Sequence, residues 1–315
     1  MRTVLHKSKQ YWLTALKVLL LGVTFAYIYY KLTSGETLQW QKFISEIQSK
    51  NVTYILLFTL LAGVNWVFEI AKWQTAVSKI KPISFFEATK QSLMALTVSL
   101  PTPNRIGDYG AKAFFYPSEK RKEILLLNFL NNSAQMVITC FLGCFGLFIL
   151  AFNYSLPFSG TNLIISISVL LIVIIATYFF RKKQLIIKGL SVVNLFQYIK
   201  NLPYSLKLKL VLYSFLRYIV FSLLFFVILL FFDADISIVK AVPLIFAMYL
   251  LVSIVPSFFI FDIVIRGGVA VWLFSLVGIN EVTVLCTAFT MWLLNFILPA
   301  LVGSFFVARY KTRNV

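Results

Sequence analysis

Two short stretches put ionisable side chains into surroundings that are otherwise apolar. In SLPTPNRIGDYG these are Asn104, Arg105 and Asp108; in VPSFFIFDIVIRGG they are Asp262 and Arg266. A guanidinium fork suits phosphate oxygens better than a lysine ammonium does. Arg105 and Arg266 are therefore candidates for binding a phosphate, with Asp108 and Asp262 positioning them or meeting a cationic headgroup. Arg105 can pair locally with Asp108, and Asp262 with Arg266 one helical turn away. If the stretches meet, a cross-pair between Arg105 and Asp262 opens as well. The same pairs have a plainer use, stitching two parts of the protein together.

Polar amides add to this set. Asn128, Asn131, Asn132 and Gln135 fall on one helical face within a long apolar run, and a face of amides is costly against lipid, so it is expected to look inward. Asn295 and Pro299 in the last apolar run are possible counterparts. Arg217 lies close enough to Lys209 to be expected to snorkel, while Glu69 and Lys72 are spaced to pair near a membrane end. Other chemistry is poorly provided for. The single histidine, His6, sits in the basic N-terminal tail, which removes imidazole catalysis and histidine metal sites from the membrane. Cys140, Cys144 and Cys286 lie in apolar runs, where a thiol packs as a small hydrophobe. Asp233-Ala234-Asp235 has the DxD form of a metal-bound nucleotide-sugar site, but it sits at a span end on the side away from cytoplasmic nucleotide sugars. No metal, cofactor or catalytic group is expected.

The elements that hold these residues follow from composition. The chain of 315 residues is 60% apolar and only 13% charged, against roughly 25% charged in soluble domains. Aromatic residues make up 17%, so neither a soluble nor a disordered protein fits. Lys and Arg total 29 against 11 Asp and Glu; in a membrane protein this excess first marks cytoplasmic loops, and nucleic acid is not an expected partner. A bilayer core needs about 20 apolar residues per helix. Six runs qualify: 12–31, read as an uncleaved signal anchor, then 52–72, 124–150, 161–180, 208–232 and 282–308. Loops around Lys72, Lys79 and Lys81, around Lys120 to Lys122, from Arg181 to Lys209, and both tails are basic. They alternate with loops at 32–51, 151–160 and 233–239 that lack this excess. Both termini are thus expected in the cytoplasm, in a cell membrane protein.

Two further stretches are broken. Residues 85–116 are interrupted by Pro101, Pro103, Gly107 and Gly110, and residues 240–278 by Pro256, Gly267 and Gly268. Their arms are too short for a full crossing, so each is expected to enter the membrane and turn back. Segments 52–150 and 208–308 then share one order: long span, broken hairpin, Arg followed by Gly, acidic residue, charge-free span. Opposite orientations make them inverted repeat halves, around an extra span at 12–31 and a linking span at 161–180. The expected fold is an all-α polytopic membrane protein with an inverted repeat, six full spans and two broken or re-entrant hairpins, six to eight spans in all, since two complete crossings at the second stretch would give the same orientation.

SLPTPNRIGDYGAKAFFYP, LLLNFLNNSAQ and PSFFIFDIVIRGG resemble the transmembrane domain of lysylphosphatidylglycerol synthases and their stand-alone flippase-like relatives. The resemblance covers roughly residues 10–310. Pro101, Gly107, Asp108 and Lys112 match one signature, with Lys112 in place of the usual arginine and one position late; Arg266-Gly267-Gly268 match the second. It implies inverted repeats with re-entrant segments and a role in moving or binding lipids such as aminoacylated phosphatidylglycerol. Synthases also carry a soluble lysine-transferring domain, which this sequence is not expected to contain, so enzymatic activity is not expected. The expected function is a lipid translocase, or lipid-binding transport protein, for an anionic or aminoacylated phospholipid or related envelope lipid. The alternative is a non-transporting scaffold subunit of a glycolipid or envelope-biosynthesis enzyme, which would be its partner. Topology is testable by labelling single introduced cysteines in intact cells: Ser237→Cys and Ser159→Cys should react with an impermeant reagent, and Ser191→Cys only after permeabilisation.

Overall fold

The computed structural model describes residues 52–100, 102, 105–154, 192–255 and 261–310, and their regular structure is helical. In chain order the helices are α1 (Val52–Val77), α2 (Phe85–Ser99), the short α3 (Gly107–Ala113), α4 (Arg121–Asn153), α5 (Val192–Asn201), α6 (Tyr204–Phe231), α7 (Ile238–Ile254) and α8 (Phe261–Ser275). The last rod comprises α9 (Glu281–Trp292), a π-helical turn (Leu293–Ile297) and α10 (Leu298–Arg309). Four helical runs are long and apolar enough to cross a bilayer: α1, α4, α6 and the 281–309 rod. A helix satisfies its own backbone groups, which a bilayer core demands of any lipid-facing segment. Exposed Leu56 and Leu60 on α1 and Phe141, Phe145, Phe148 and Phe152 on α4 supply the apolar outer surface. The expected spans 12–31 and 161–180, with Pro101, Pro103, Asn104 and Pro256, lie outside the described residues.

Short helices replace full crossings at both broken stretches. Ser84 caps α2, its hydroxyl accepting from the Glu87 N–H at 3.2 Å. At about 1.5 Å per residue α2 is only ~22 Å long. The chain then doubles back, because the Tyr116 hydroxyl beyond α3 donates to Gln91 on α2 at 3.0 Å. Gln91 Oε1 also accepts from the Trp73 indole of α1 at 2.9 Å, so one buried amide ties three elements. Gly107 is required at the start of α3: its N–H donates to the Thr102 hydroxyl at 2.9 Å, and a Cβ would meet Thr102 and Ser99 at about 3 Å. Gly110, Gly267 and Gly268, expected as breaks, are instead helical residues of α3 and α8. Glycine inside a membrane helix lets neighbours approach, as Gly267 does with Leu285 of α9.

Contacts at the helix ends give the directions. Tyr54 at the start of α1 rests against Phe231 at the end of α6, and Thr283 at the start of α9 donates to the Phe232 carbonyl at 3.2 Å. These ends share one side of the protein. On the other, Tyr198 of α5 donates to Glu123 at the start of α4 and lies under Lys79 beyond α1, while Phe115 meets Tyr310 after α10. Hence α1 and the 281–309 rod run one way, and α4 and α6 the other. Helix packing repeats under exchange of 52–153 with 204–309: α4 on α7 mirrors α10 on α2, α3 on α4 mirrors α8 on α9, and α1 packs on α6.

Glycines make the two mirrored crossings tight. A Cβ on Gly146 of α4 would lie 2.6 Å from the Pro243 carbonyl and 2.9 Å from the Ala247 nitrogen of α7. One on Gly303 of α10 would collide with the Leu93 carbonyl and the Thr97 hydroxyl of α2. Gly146→Ala and Gly303→Ala should each cost about 1–3 kcal/mol through overpacking, read as a lower melting midpoint in detergent. Gly63→Ala, whose Cβ meets nothing within 4 Å, should leave the midpoint unchanged.

Candidate functional site

The two broken stretches meet. Arg105 Nη2 lies 3.4 Å from Asp262 Oδ2, and Arg266 Nε lies 2.9 Å from the same oxygen. The cross-pair and the one-turn pair therefore exist together, with two guanidiniums sharing one carboxylate. Beneath them is Phe296, its ring 4.0 Å from the Arg105 guanidinium carbon and 5.5 Å from that of Arg266. Phe296 sits in the π turn, roughly midway along the 281–309 rod. The turn has a local cause: Pro299 has no N–H to give the Asn295 carbonyl, and the Leu298 N–H reaches back to Leu293 instead.

Arg105 is held in an unusual backbone state, with φ at 56°. A non-glycine residue in the left-handed region costs about 1–3 kcal/mol and persists only where its surroundings fix it. Here the fixing partners are Asp262 and the Phe296 face. Arg105 and Arg266 keep 34% and 26% of their side-chain surface accessible, whereas Asp262 keeps 7%. Arg266 lines a small cavity of about 20 Å³ with Phe221, Tyr249, Trp292 and Phe296, and charged groups at mid-span need partners or water because lipid tails would not solvate them.

A second cluster lies on α3 and α4. Lys112 Nζ is 3.2 Å from Asp108 Oδ1 and 3.1 Å from Asn128 Oδ1, and Asn128 Nδ2 donates to Asp108 Oδ2 at 2.6 Å. The ammonium also stands 4.6 Å above the Trp73 ring and is almost wholly buried. Asp108 thus takes Lys112 as its ion-pair partner rather than Arg105. The expected amide face of α4 does look inward: Asn128 serves this cluster, Asn132 bonds Tyr109, and Asn131 is fully buried with no hydrogen-bond partner for either amide atom.

The third cluster corrects two expectations. Lys72 is not a loop charge, since α1 continues past it and buries it completely. Arg217 does not snorkel; Nη1 reaches Glu69 Oε2 at 3.0 Å, and Lys72 Nζ reaches the same oxygen at 3.0 Å. Gln135 Oε1 lies 3.5 Å from Lys72 Nζ and 3.4 Å from Arg217 Nη1. Only the packing of α1 against α6 puts Glu69 within reach of Arg217, and neither residue's spacing reveals it. Asn65, one turn from Glu69, donates to Asn295 Oδ1 at 2.9 Å, which joins this cluster to the turn carrying Phe296. Phe296 itself carried no polar signal in the sequence.

The three clusters contain five cations (Arg105, Arg266, Lys112, Lys72, Arg217) and three carboxylates (Asp262, Asp108, Glu69). These three clusters therefore hold two more cations than carboxylates. The chain matches the family described as lysylphosphatidylglycerol synthase TM region over residues 14–303. It belongs to that family. No curated protein matches the chain. Membership and the apolar helices together make it an integral, multi-pass membrane protein of this family, and the resemblance noted at SLPTPNRIGDYG and RGG falls on the segments that meet at Asp262.

Removing one partner of a buried pair leaves the other charge uncompensated. Lys112→Met should destabilise the protein by about 3 kcal/mol. Lys112→Met combined with Asp108→Asn should cost clearly less than the sum of the two single changes, measured as a double-mutant cycle in detergent melts. Additive losses would show that the pair contributes no coupling.

Proposed function

We propose that the polar interior binds the phosphate of an anionic or aminoacylated phospholipid, or of a related envelope lipid, and that the protein moves the headgroup between leaflets. The observation that carries this reading is the pair of guanidiniums sharing Asp262 above Phe296. One carboxylate neutralises one arginine, so a phosphodiester monoanion supplies the missing charge, and guanidinium forks offer it paired donors. Asp262 and Asp108 hold the cations in place, and they are the groups that an aminoacyl ammonium would meet.

The arrangement of the helices supports movement. Halves 52–150 and 208–308 act as inverted copies, a reading favoured by their mirrored packing and opposite directions. Rocking one half against the other then opens the arginine pair to each leaflet in turn. Lys79, Lys120, Arg121, Lys207 and Arg309 mark the side taken as cytoplasmic, where each basic residue near the surface attracts anionic lipid by about 1 kcal/mol.

In proteoliposomes the wild type should move a short-chain fluorescent phosphatidylglycerol across the bilayer, and Arg105→Ala/Arg266→Ala should lose that movement by at least tenfold while eluting as a folded species. Lipid identified by mass spectrometry after purification should fall in the same variant. Equal lipid content and equal movement would sink the headgroup reading and favour a scaffold, whose function would instead depend on a partner enzyme.

A further inference from the structure

The Glu69 cluster has features that ion pairing alone leaves unexplained. Two cations, Lys72 and Arg217, face one carboxylate, Glu69, which repeats the charge balance of the Arg105–Asp262–Arg266 group and leaves one positive charge over. Unpartnered polar atoms also gather here, both donors and the acceptor Oδ1 of Asn131. Arg217 Nε, the Ser214 hydroxyl and both amide atoms of Asn131 are buried and have no hydrogen-bond partner. Ser214 and Asn131 are fully buried, and an unmade hydrogen bond at such a group costs about 1–3 kcal/mol.

These groups converge. Ser214 and Arg217 are three residues apart on α6, and Asn131 is one turn from Gln135 on α4. Gln135 bridges the two helices, accepting from Arg217 at 3.4 Å and donating to the Ser214 carbonyl at 3.4 Å. Arg217 keeps 26% of its side chain accessible, so the cluster can be reached at that cation. Neutral water would satisfy the orphan donors but not the extra charge.

We propose that Lys72, Arg217, Ser214 and Asn131 form a second phosphate-oxyanion site, with Gln135 and Glu69 holding its cations in position. The proposal rests on the headgroup reading above and adds a second station to it. Along α1 the step from Asn65, level with the Phe296 turn, to Lys72 is ~10 Å. A phosphate released by Arg105 and Arg266 therefore meets a second site of the same charge within one headgroup length. The oxyanion is that of a lipid headgroup or of free phosphate.

The test counts ligands on the full chain in detergent by native mass spectrometry, titrated with phosphatidylglycerol or with inorganic phosphate. Asn131→Leu/Ser214→Ala is the informative variant, because it removes unpartnered polar groups and should fold at least as well as wild type. Wild type should bind two phosphatidylglycerols; this variant should bind the second at least tenfold more weakly, and Arg217→Gln should do the same. Arg105→Ala/Arg266→Ala should lose the other lipid. Displacement of the second lipid by inorganic phosphate identifies the ligand as the free oxyanion, and resistance to it identifies the lipid; both support the site. A single lipid, lost in Arg105→Ala/Arg266→Ala and indifferent to Asn131→Leu/Ser214→Ala, overturns the second site and leaves the first. Two lipids indifferent to the arginine changes but sensitive to Asn131→Leu/Ser214→Ala would instead remove the first.

Discussion

Ionised side chains in a bilayer interior must be paired or solvated, and the whole polar architecture of this protein answers that requirement. Asp262 between Arg105 and Arg266, Asp108 beside Lys112, and Glu69 between Lys72 and Arg217 are three solutions built from one rule. The clusters are also electrostatically joined: Lys112 is within reach of Glu69 and Lys72, and Arg217 within reach of Arg105. Pairing is complete in the Lys112 cluster and leaves one positive charge in each of the others. That inequality separates a structural ion pair from a group arranged to receive an anion.

Backbone irregularity supplies the positions. Between α2 and α3 the backbone places Arg105 in the left-handed region, and from there its guanidinium meets Asp262. On the opposing rod Pro299 forces the π turn that carries Phe296, whose ring meets both guanidiniums. At the π turn the irregular backbone is flanked by buried Asn295 and Phe296, and a membrane tolerates such irregularity only where protein or a wet cavity covers it. Tight crossings at Gly146 and Gly303 bring the two broken segments close enough to meet.

Much of this was legible from composition and periodicity. Apolar run lengths marked all four described spans, and the amide spacing on α4 correctly indicated an inward face. Charges amid apolar residues marked Arg105, Asp108, Asp262 and Arg266, because placing them there is costly whatever the fold. Less legible were features that depend on what lies opposite. Lys72 read as a loop charge because run length ended the span at that residue, and Arg217 read as snorkelling because it lies close to Lys209 on its own helix. Gly110, Gly267 and Gly268 read as breaks because glycine weakens isolated helices, yet all three are helical, and of them only Gly267 packs closely against a neighbour, Leu285.

The amino-acid sequence by itself determined that the chain is helical, membrane-embedded and unable to hide its intramembrane charges, since transfer energies act residue by residue. Which charge meets which was decided only by the tertiary structure. Arg105 finds Asp262, and Arg217 finds Glu69, across long separations in sequence. Coulomb attraction falls off over a few ångströms of protein, and only helix packing sets those distances.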